Sequence, residues 1–225
     1  MKFIVIEGLD ASGKSTQLEL LQQYLKTNKV NFKYLHFPRT DAPVYGDLIA
    51  RFLRGEFGNI NSVNPYLVAL LYAGDRKDAA ELIQSWLRKK YLVITDRYVH
   101  SNIAFQCAKL SNKIEREALK DWIYYFEYHY NKIPKPNMCL FLDVPFEFTM
   151  RRLKQSRKGN DRTYLRGHKD IHEHDLNFQK RVRDMYLWLV KEDPYFKLID
   201  CKDENNKMLL PRSIFQKILN TLQLD

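Results

Sequence analysis

The first fifteen residues constrain this chain more than any other stretch. Phe3–Ile6 is a short apolar run with β-branched residues, which predicts a buried strand. Residues 8–15 read GLDASGKS and fit the pattern G-x-x-x-x-G-K-[ST]. Glycines let the backbone turn where side chains would clash, and the exposed N–H groups can then surround a phosphate. The stretch predicts a strand, a phosphate-binding loop and a helix, with a plain glycine turn as the alternative.

Two side chains of this loop have expected roles. Lys14 is expected to reach the β- and γ-phosphates of a nucleoside triphosphate, and the Ser15 hydroxyl is expected to hold Mg²⁺. The residues expected to contact the triphosphate are Gly8, Ala11, Ser12, Gly13, Lys14, Ser15 and Thr16.

Composition narrows the class of protein. A chain of 225 residues that is 45% hydrophobic suits one globular α/β domain, residues 1–225. The net charge of +10 suits a partner that carries phosphates, either nucleotides or nucleic acid, or is simply a basic surface. Three scattered cysteines indicate free thiols in a reducing compartment. Without a signal peptide or an apolar run of roughly 18 residues, we expect a cytoplasmic protein with no membrane partner.

Apolar runs and helical patterns alternate along the chain. Alternation of this kind predicts an α/β fold, a five-stranded parallel sheet with helices on both faces. Ligands then bind at the carboxyl ends of the strands. After the first strand, the predicted strands are Phe32–Phe37, Tyr91–Thr95, Cys139–Asp143 and Tyr195–Ile199, and the predicted helices include Pro65–Lys89, Ile114–Tyr130 and Asp170–Val190.

Polar motifs follow two of these strands. Arg39 comes directly after the second strand, where it could clamp a phosphate or could lie solvated on a turn. The third strand ends in Asp96 and Arg97, and a carboxylate there is a usual Mg²⁺ ligand beside a phosphate loop. An ordinary helix cap is the alternative. Hydrogen-bonding side chains follow at Ser101, Asn102 and Gln106.

Two further stretches carry candidate functions. Tyr72 and Arg76 share one helix face, where they could stack on a base and bond its edge, or be a core tyrosine beside a surface arginine. Residues about 155–169 are basic and contain glycines, which suits a lid that closes over phosphates and excludes water. The alternatives are a solvated loop or a nucleic-acid contact. The histidines at 168, 172 and 174 are interpreted as lid or surface residues rather than metal ligands.

The combination and order of these motifs resemble the thymidylate kinases. The resemblance extends from Met1 to about Asp200. It implies a P-loop nucleoside monophosphate kinase architecture with a lid, ATP and Mg²⁺ as cofactors, and transfer of the γ-phosphate of ATP to dTMP, giving dTDP. It also implies small-molecule substrates, no nucleic-acid partner and a homodimer. The motifs that carry it are 8–16, 37–39, 71–76, 96–98 with 101–106, and 142–145.

The resemblance also implies individual roles. Asp10 matches the residue that contacts the deoxyribose 3′-hydroxyl, and Asp96 matches the magnesium-linked carboxylate. Lys14 and Arg97 are expected to be catalytic. Among the other implied substrate contacts, Arg39 and Arg97 match the acceptor-phosphate arginines and Tyr72 is placed to stack on thymine. Arg76 matches the residue that bonds the thymine edge, with Asn102 or Gln106 completing that recognition. The remaining implied contacts are Phe37, Ser101 and Phe105.

The sequence departs from the family pattern at two places. Ala11 stands where some members have a catalytic arginine, so we expect the lid to supply it from Arg157, Arg162 or Arg166. Phe105 stands where many members have a tyrosine near the sugar 2′ position, which bears on the rejection of ribonucleotides.

Two rival functions remain open from the sequence. One is a kinase for another nucleoside or nucleoside monophosphate, although Arg39 and Arg97 together favour an acceptor that already carries a phosphate. The other is a basic nucleic-acid-binding P-loop ATPase, which only the net charge favours.

Overall fold

A parallel sheet forms the centre of the molecule. The computed structural model describes residues 3–154, 160–168 and 170–223. Within these residues, five strands pair in parallel in the order β2-β3-β1-β4-β5, which confirms the predicted fold class. The strands are β1 Phe3–Gly8, β2 Phe32–His36, β3 Leu92–Asp96, β4 Met138–Asp143 and β5 Phe196–Asp200.

Helices connect the strands and cover both faces of the sheet. The predicted helix at 65–89 forms with nearly the expected ends, and Asn64 caps it by accepting a hydrogen bond from the backbone N–H of Tyr66. The helices are α1 Lys14–Thr27, α2 Tyr45–Leu53, α3 Pro65–Arg88, α4 Val99–Cys107, α5 Lys113–Tyr124, α6 Phe146–Lys154, α7 Ile171–His174, α8 Leu176–Glu192 and α9 Pro211–Leu222.

Alternate residues of β1, the central strand, bury against opposite helix layers. On β1, Phe3 and Val5 belong to the core beneath α3, α4, α5 and α8. Ile4 and Ile6 belong to the core beneath α1 and α9. Successive side chains of a strand point to opposite faces, so a continuously apolar strand is buried on both sides. This burial places the end of β1, and hence the glycine-rich loop, in the middle of one edge of the sheet.

Two of the predicted helical stretches are each divided into two segments in the structure. The stretch at 170–190 is two helices, because Asp175 is extended and its carboxylate accepts a hydrogen bond from the backbone N–H of Phe178. The stretch at 114–130 is α5 followed by a π-helical turn, Tyr125–Tyr130. Apolar spacing alone does not show these changes, because both segments keep their buried side chains on one side.

Some helices were not predicted. All side chains of α4 are buried, so its sequence lacks the polar face that an amphipathic helix shows. Its position directly after Arg97 is nevertheless what brings residues 101–106 to the carboxyl edge of the sheet. In the part of the chain that the structure describes, no helix combines the length and apolar character needed to cross a membrane.

Candidate active site

A cleft of about 890 Å³ opens at the carboxyl ends of the central strands. The glycine-rich loop forms one wall, and α3 and α4 contribute the opposite wall. Parallel sheets bind ligands at this edge because loops and helix N-termini converge there. Most of the predicted site residues line the cleft: Asp10 to Thr16, Phe37, Arg39, Tyr72, Arg76, Asp96, Arg97, Ser101, Asn102, Phe105 and Gln106.

The loop has the shape of a phosphate cradle. Gly13 has a φ of 87°, a conformation that favours glycine. A Cβ atom on Gly8 would lie 2.8 Å from the hydroxyl oxygen of Ser12, so a side chain there would displace that hydroxyl. Among the described residues, the buried Ser12 hydroxyl finds no hydrogen-bond partner. A buried polar group of this kind fits a ligand oxygen in the cradle.

Lys14 begins α1 and points across the loop. Its ammonium group donates to the carbonyl oxygens of Gly8 at 3.3 Å and Leu9 at 3.0 Å. Burial and the nearby positive charge of Arg97 lower the pKa of Lys14 to about 8, against the opposing pull of neighbouring carboxylates. Lys14 therefore lies at the floor of the cleft and loses its proton at a lower pH than an ordinary lysine.

Arg97 follows β3 with a strained backbone. Its φ is 65°, and its backbone N–H donates to the carbonyl oxygen of Ile6 at 2.9 Å. The guanidinium donates to Oδ1 of Asp10 at 2.7 Å. Burial alone would raise the pKa of Asp10, but Arg97 and Lys14 outweigh it and hold that pKa at about 2. Two cations thus converge on one carboxylate at the mouth of the loop.

A buried carboxylate that the sequence analysis missed organises this region. Glu7 accepts hydrogen bonds from the backbone N–H groups of Tyr98 at 2.8 Å and Ser101 at 3.2 Å, so it caps the start of α4. The Tyr186 hydroxyl donates to Glu7 at 2.9 Å and lies 3.3 Å from a guanidinium nitrogen of Arg97. An acidic residue inside an apolar strand was the available sequence signal.

Arg39 lies on the cleft wall and is held by α3. Its Nε donates to Oδ1 of Asp75 at 2.8 Å, and one Nη donates to Oδ2 of Asp78 at 2.6 Å. The backbone N–H of Arg39 also donates to Asp75. The carboxylates of α3 therefore fix the arginine at the end of β2, a pairing that the sequence did not show.

The wall formed by α3 and α4 is rich in planar and amide side chains. Tyr72 and Phe105 line it together with Arg76, Asn102 and Gln106. The Gln106 side chain is fully buried, and within the described ranges neither of its amide atoms has a hydrogen-bond partner. Both a donor and an acceptor are therefore available toward the cleft. The structure brings together the residues predicted to surround a base.

Asp96 lies at the end of β3 near Lys14. Its Oδ2 is 3.1 Å from Nδ1 of His36, while its buried Oδ1 has no hydrogen-bond partner in residues 3–154, 160–168 and 170–223. Burial opposes ionisation, but Lys14 and His36 lower the pKa of this carboxyl group. Ser15 is exposed at the start of α1 on the same cleft. These oxygens are of the kind that Mg²⁺ binds.

The lid segment is described in part. Arg157 and the side chain of Arg162 lie outside the described residues, and Arg166 is exposed. Tyr164 lines the cleft, donates through its hydroxyl to Asp170 at 3.0 Å, and accepts at its carbonyl from a guanidinium nitrogen at 2.7 Å. That nitrogen belongs to Arg54, the residue that follows α2, which therefore holds this part of the segment against the cleft.

His172 was interpreted as a lid or surface residue, and for this residue the expectation was wrong. Its side chain is buried, with ring centroids 5.5 Å from Phe52, 5.0 Å from Phe105 and 5.5 Å from Phe178. Burial lowers the pKa of His172 to about 3, with a contribution from the positive charge of Lys109. It packs as a neutral aromatic ring in the lining of the cleft.

The fold and the loop define the class of protein. A central parallel strand runs into a glycine loop and a helix, and basic side chains from neighbouring strand ends face the loop across one cleft. This is the architecture of a P-loop nucleoside monophosphate kinase. A solved thymidylate kinase from Candida albicans has the same fold, with a TM-score of 0.71 and 24% identity, covering 99% of this chain and 91% of that chain.

Comparison with protein families gives the particular family. The thymidylate kinase family model matches residues 6–209. A thymidylate kinase from Plasmodium falciparum is 31% identical over 192 residues, which covers 85% of this chain and 79% of that protein. A probable thymidylate kinase from Saccharolobus solfataricus is 32% identical over 221 residues, covering 97% and 98%. The chain belongs to the thymidylate kinase family, whose activity is ATP-dependent phosphorylation of dTMP to dTDP.

Proposed function

We propose that this cleft transfers the γ-phosphate of ATP to dTMP with the residues it assembles in named roles. The observation that carries the proposal is the convergence of Lys14, Arg97 and Asp10 at the mouth of one glycine cradle. Two phosphate groups repel each other, so their approach requires fixed counter-charge. The acceptor phosphate is already ionised, so the reaction needs positioning and charge neutralisation rather than a strong base.

The donor occupies the loop and the acceptor occupies the wall opposite. The backbone of residues 8–16 surrounds the triphosphate, and Lys14 neutralises the group in transfer. Arg97 and Arg39 hold the acceptor phosphate, and Asp10 accepts a hydrogen bond from the sugar 3′-hydroxyl. Tyr72 stacks on the base, while Phe37, Ser101, Asn102, Phe105, Gln106 and Arg76 enclose the base and sugar. A lid arginine, Arg157, Arg162 or Arg166, supplies further positive charge.

Mg²⁺ fits the oxygen atoms at the end of β3. Ser15 and Asp96 would hold it, since one buried oxygen of Asp96 has no partner in the described part of the chain. When bound, the ion neutralises phosphate charge and orients the phosphates. Ser15 and Asp96 lie beside Lys14, so an ion held there would add its positive charge to that of the lysine.

We also propose that two copies of the chain associate through α3 and α5. These helices touch through Tyr66 and Trp122, whose ring centroids are 5.0 Å apart. They carry exposed apolar side chains at Leu67, Leu70 and Ile114. Exposed apolar side chains on two touching helices are what an interface between copies would cover. Sedimentation equilibrium of the chain, with Leu67→Glu as the variant, tests the homodimer.

A cytoplasmic location is proposed as well. Cys107, Cys139 and Cys201 are buried free thiols. Free thiols persist in a reducing compartment such as the cytoplasm. Localisation of the tagged chain in cells by fractionation tests this proposal.

One coupled assay tests the proposed reaction. ATP and Mg²⁺ are supplied with dTMP, dUMP, dCMP, AMP or thymidine, and ADP formation is measured. We expect the highest kcat/KM with dTMP and no turnover of thymidine, because thymidine has no phosphate for Arg39 and Arg97. Lys14→Ala is the control for contaminating kinases. Unchanged dTMP in the presence of the unaltered chain would contradict the proposal.

A further inference from the structure

A charged residue continues an apolar stripe behind the cleft. Leu119, Ile123 and Glu127 are spaced by four along α5 and the following π-helical turn, and each is 0% exposed. A carboxylate this deep is retained only with partners that replace its hydration. Its partners come from the two helices that form the cleft wall.

The first partner is Arg76 of α3. Its Nε donates to Oε2 of Glu127 at 2.6 Å, and one Nη donates to Oε1 at 2.6 Å. This side-on, bidentate pair fixes the plane and direction of the guanidinium. Arg76 lines the cleft, so the nitrogen that Glu127 does not engage remains as a donor on the cleft side of the pair.

The second partner is Asn102 of α4. Its Nδ2 donates to Oε1 of Glu127 at 3.0 Å and to the carbonyl oxygen of Ala69 at 3.1 Å. An ionised carboxylate only accepts hydrogen bonds, so it turns the amide nitrogen of Asn102 toward itself. The buried Oδ1 then has no partner in the portions of the chain that the structure describes, and Asn102 lines the cleft.

We propose that Glu127 is a positioning residue that sets which base the enzyme accepts. It holds Arg76 as a donor and Asn102 as an acceptor on the same wall, and the inference rests on the proposed function in placing the base there. A carbonyl oxygen beside a ring N–H matches this pair, as in thymine and uracil. Cytosine instead presents an amino group beside an unprotonated nitrogen, so it would place donor against donor at Arg76.

Glu127→Gln is the direct test. The side chain keeps its size, but its amide nitrogen faces one of the donors of Arg76 or Asn102, so both partners can turn. We expect KM for dTMP to rise about tenfold, with kcat and the KM for ATP changed less than threefold, because the lost interaction is made to the bound base. The ratio of kcat/KM for dTMP to that for dCMP should fall about tenfold, in line with the loss of one specific contact.

Asp143→Asn is the matched control. Arg183 donates to Asp143 through Nε at 2.6 Å and Nη2 at 2.8 Å, in the same side-on geometry. Neither residue is among the described residues that line the cleft. The control substitution should lower the melting temperature without changing the dTMP to dCMP ratio. A purely structural role for Glu127 would give the same pattern as this control.

Glu127→Asp covers the case in which the glutamine variant does not fold. Aspartate keeps the negative charge, but its shorter side chain shifts the bidentate pair with Arg76. KM for dTMP should therefore rise, and the ratio of kcat/KM for dTMP to that for dCMP should fall less than in Glu127→Gln. An unchanged ratio in every folded Glu127 variant overturns the inference. Failure of the unaltered chain to prefer dTMP would instead show that the proposed function is wrong.

Discussion

Two buried arginines stand at opposite ends of the cleft and are held in different ways. Arg76 is paired with a carboxylate that is 0% exposed, through two bonds of 2.6 Å. Arg97 has one short bond to Asp10, whose side chain is 22% exposed, and longer bonds to the hydroxyls of Ser101 and Tyr186. A permanent buried pair fixes a donor, whereas a partner at the cleft can yield to an incoming phosphate. At the base end of the cleft, Arg76 therefore keeps a fixed orientation toward the base. At the phosphate end, Arg97 can exchange Asp10 for the incoming phosphate.

The largest expected difference between the two ends is in folding stability. Arg76→Met should destabilise the protein by about 3–5 kcal/mol, because it leaves Glu127 buried and unpaired. Arg97→Met should cost clearly less, because the carboxylate of Asp10 can reach water. Urea unfolding measures both values, and Arg76→Met combined with Glu127→Leu should recover most of the loss. Equal destabilisation by the two single variants would remove the distinction.

The opposite order is expected for turnover. Arg97→Ala should lower kcat by roughly a hundredfold, because removing one preorganised contact to developing charge costs about 3 kcal/mol. Lys14→Ala should have a similar effect. Steady-state turnover at saturating ATP and dTMP measures this, and a Glu127→Asp protein assayed alongside should keep most of its kcat. Near-normal turnover of Arg97→Ala would exclude that side chain from the reaction.

The pH dependence of the kinetic parameters should also differ between the phosphate end and the base end of the cleft. Because the pKa of Lys14 is lowered from 10.5 to about 8, the lysine is charged below pH 8 and loses its charge above it. We expect kcat/KM for ATP to fall about tenfold per pH unit above pH 8, since this parameter reports groups of the free enzyme. Phosphates, with a second pKa of about 6, are ionised throughout this range.

The two arginines proposed to hold dTMP supply the internal control for that profile. Burial would lower the pKa of Arg76 and of Arg97, but nearby carboxylates outweigh it and raise both values. The KM for dTMP should therefore stay level between pH 7 and 9.5. A level profile for ATP across the same range would count against a charged Lys14 as the required form.

The smallest expected effect is the loss of folding stability when the hydroxyl of Tyr186, which lies beside Arg97, is removed. Tyr186→Phe removes a hydroxyl that donates to Glu7 at 2.9 Å and lies 2.7 Å from the Ser101 hydroxyl. The loss should be about 1 kcal/mol of folding stability, as for one hydrogen bond whose acceptor keeps other donors. Urea unfolding measures it. A fall in kcat as large as that of Arg97→Ala would show that the hydroxyl acts on the substrate itself.

Local patterns in the chain predicted most of the architecture. Apolar runs predicted the five strands. The central strands β1, β3 and β4 are mostly apolar because both of their faces are buried, whereas the edge strands β2 and β5 keep exposed residues. The glycine pattern at 8–15 gave the cradle, since only that spacing allows the turn. The split at Asp175 and the buried helix α4 were not predictable from apolar spacing, because a cap and a fully buried helix carry no amphipathic period.

The candidate site was predictable where its residues follow strand ends, as Asp96, Arg97 and Arg39 do. Their partners were not. Asp75 and Glu127 lie on other elements and hold the side chains of Arg39, Arg76 and Asn102. Glu7 instead caps the start of α4 through the backbone N–H groups of Tyr98 and Ser101. An acidic residue on an apolar strand or stripe is visible in a sequence, but the group that it serves is not.

The sequence by itself determined the five strands in their order along the chain, the phosphate loop and the family, because these depend on residues close together along the chain. The tertiary structure alone decided the orientation of each functional group. Arg76 and Glu127 are separated by 51 residues, and Arg97 and Asp10 by 87. A buried charge takes its direction from whichever opposite charge the packing brings to it, and packing is a property of the whole fold.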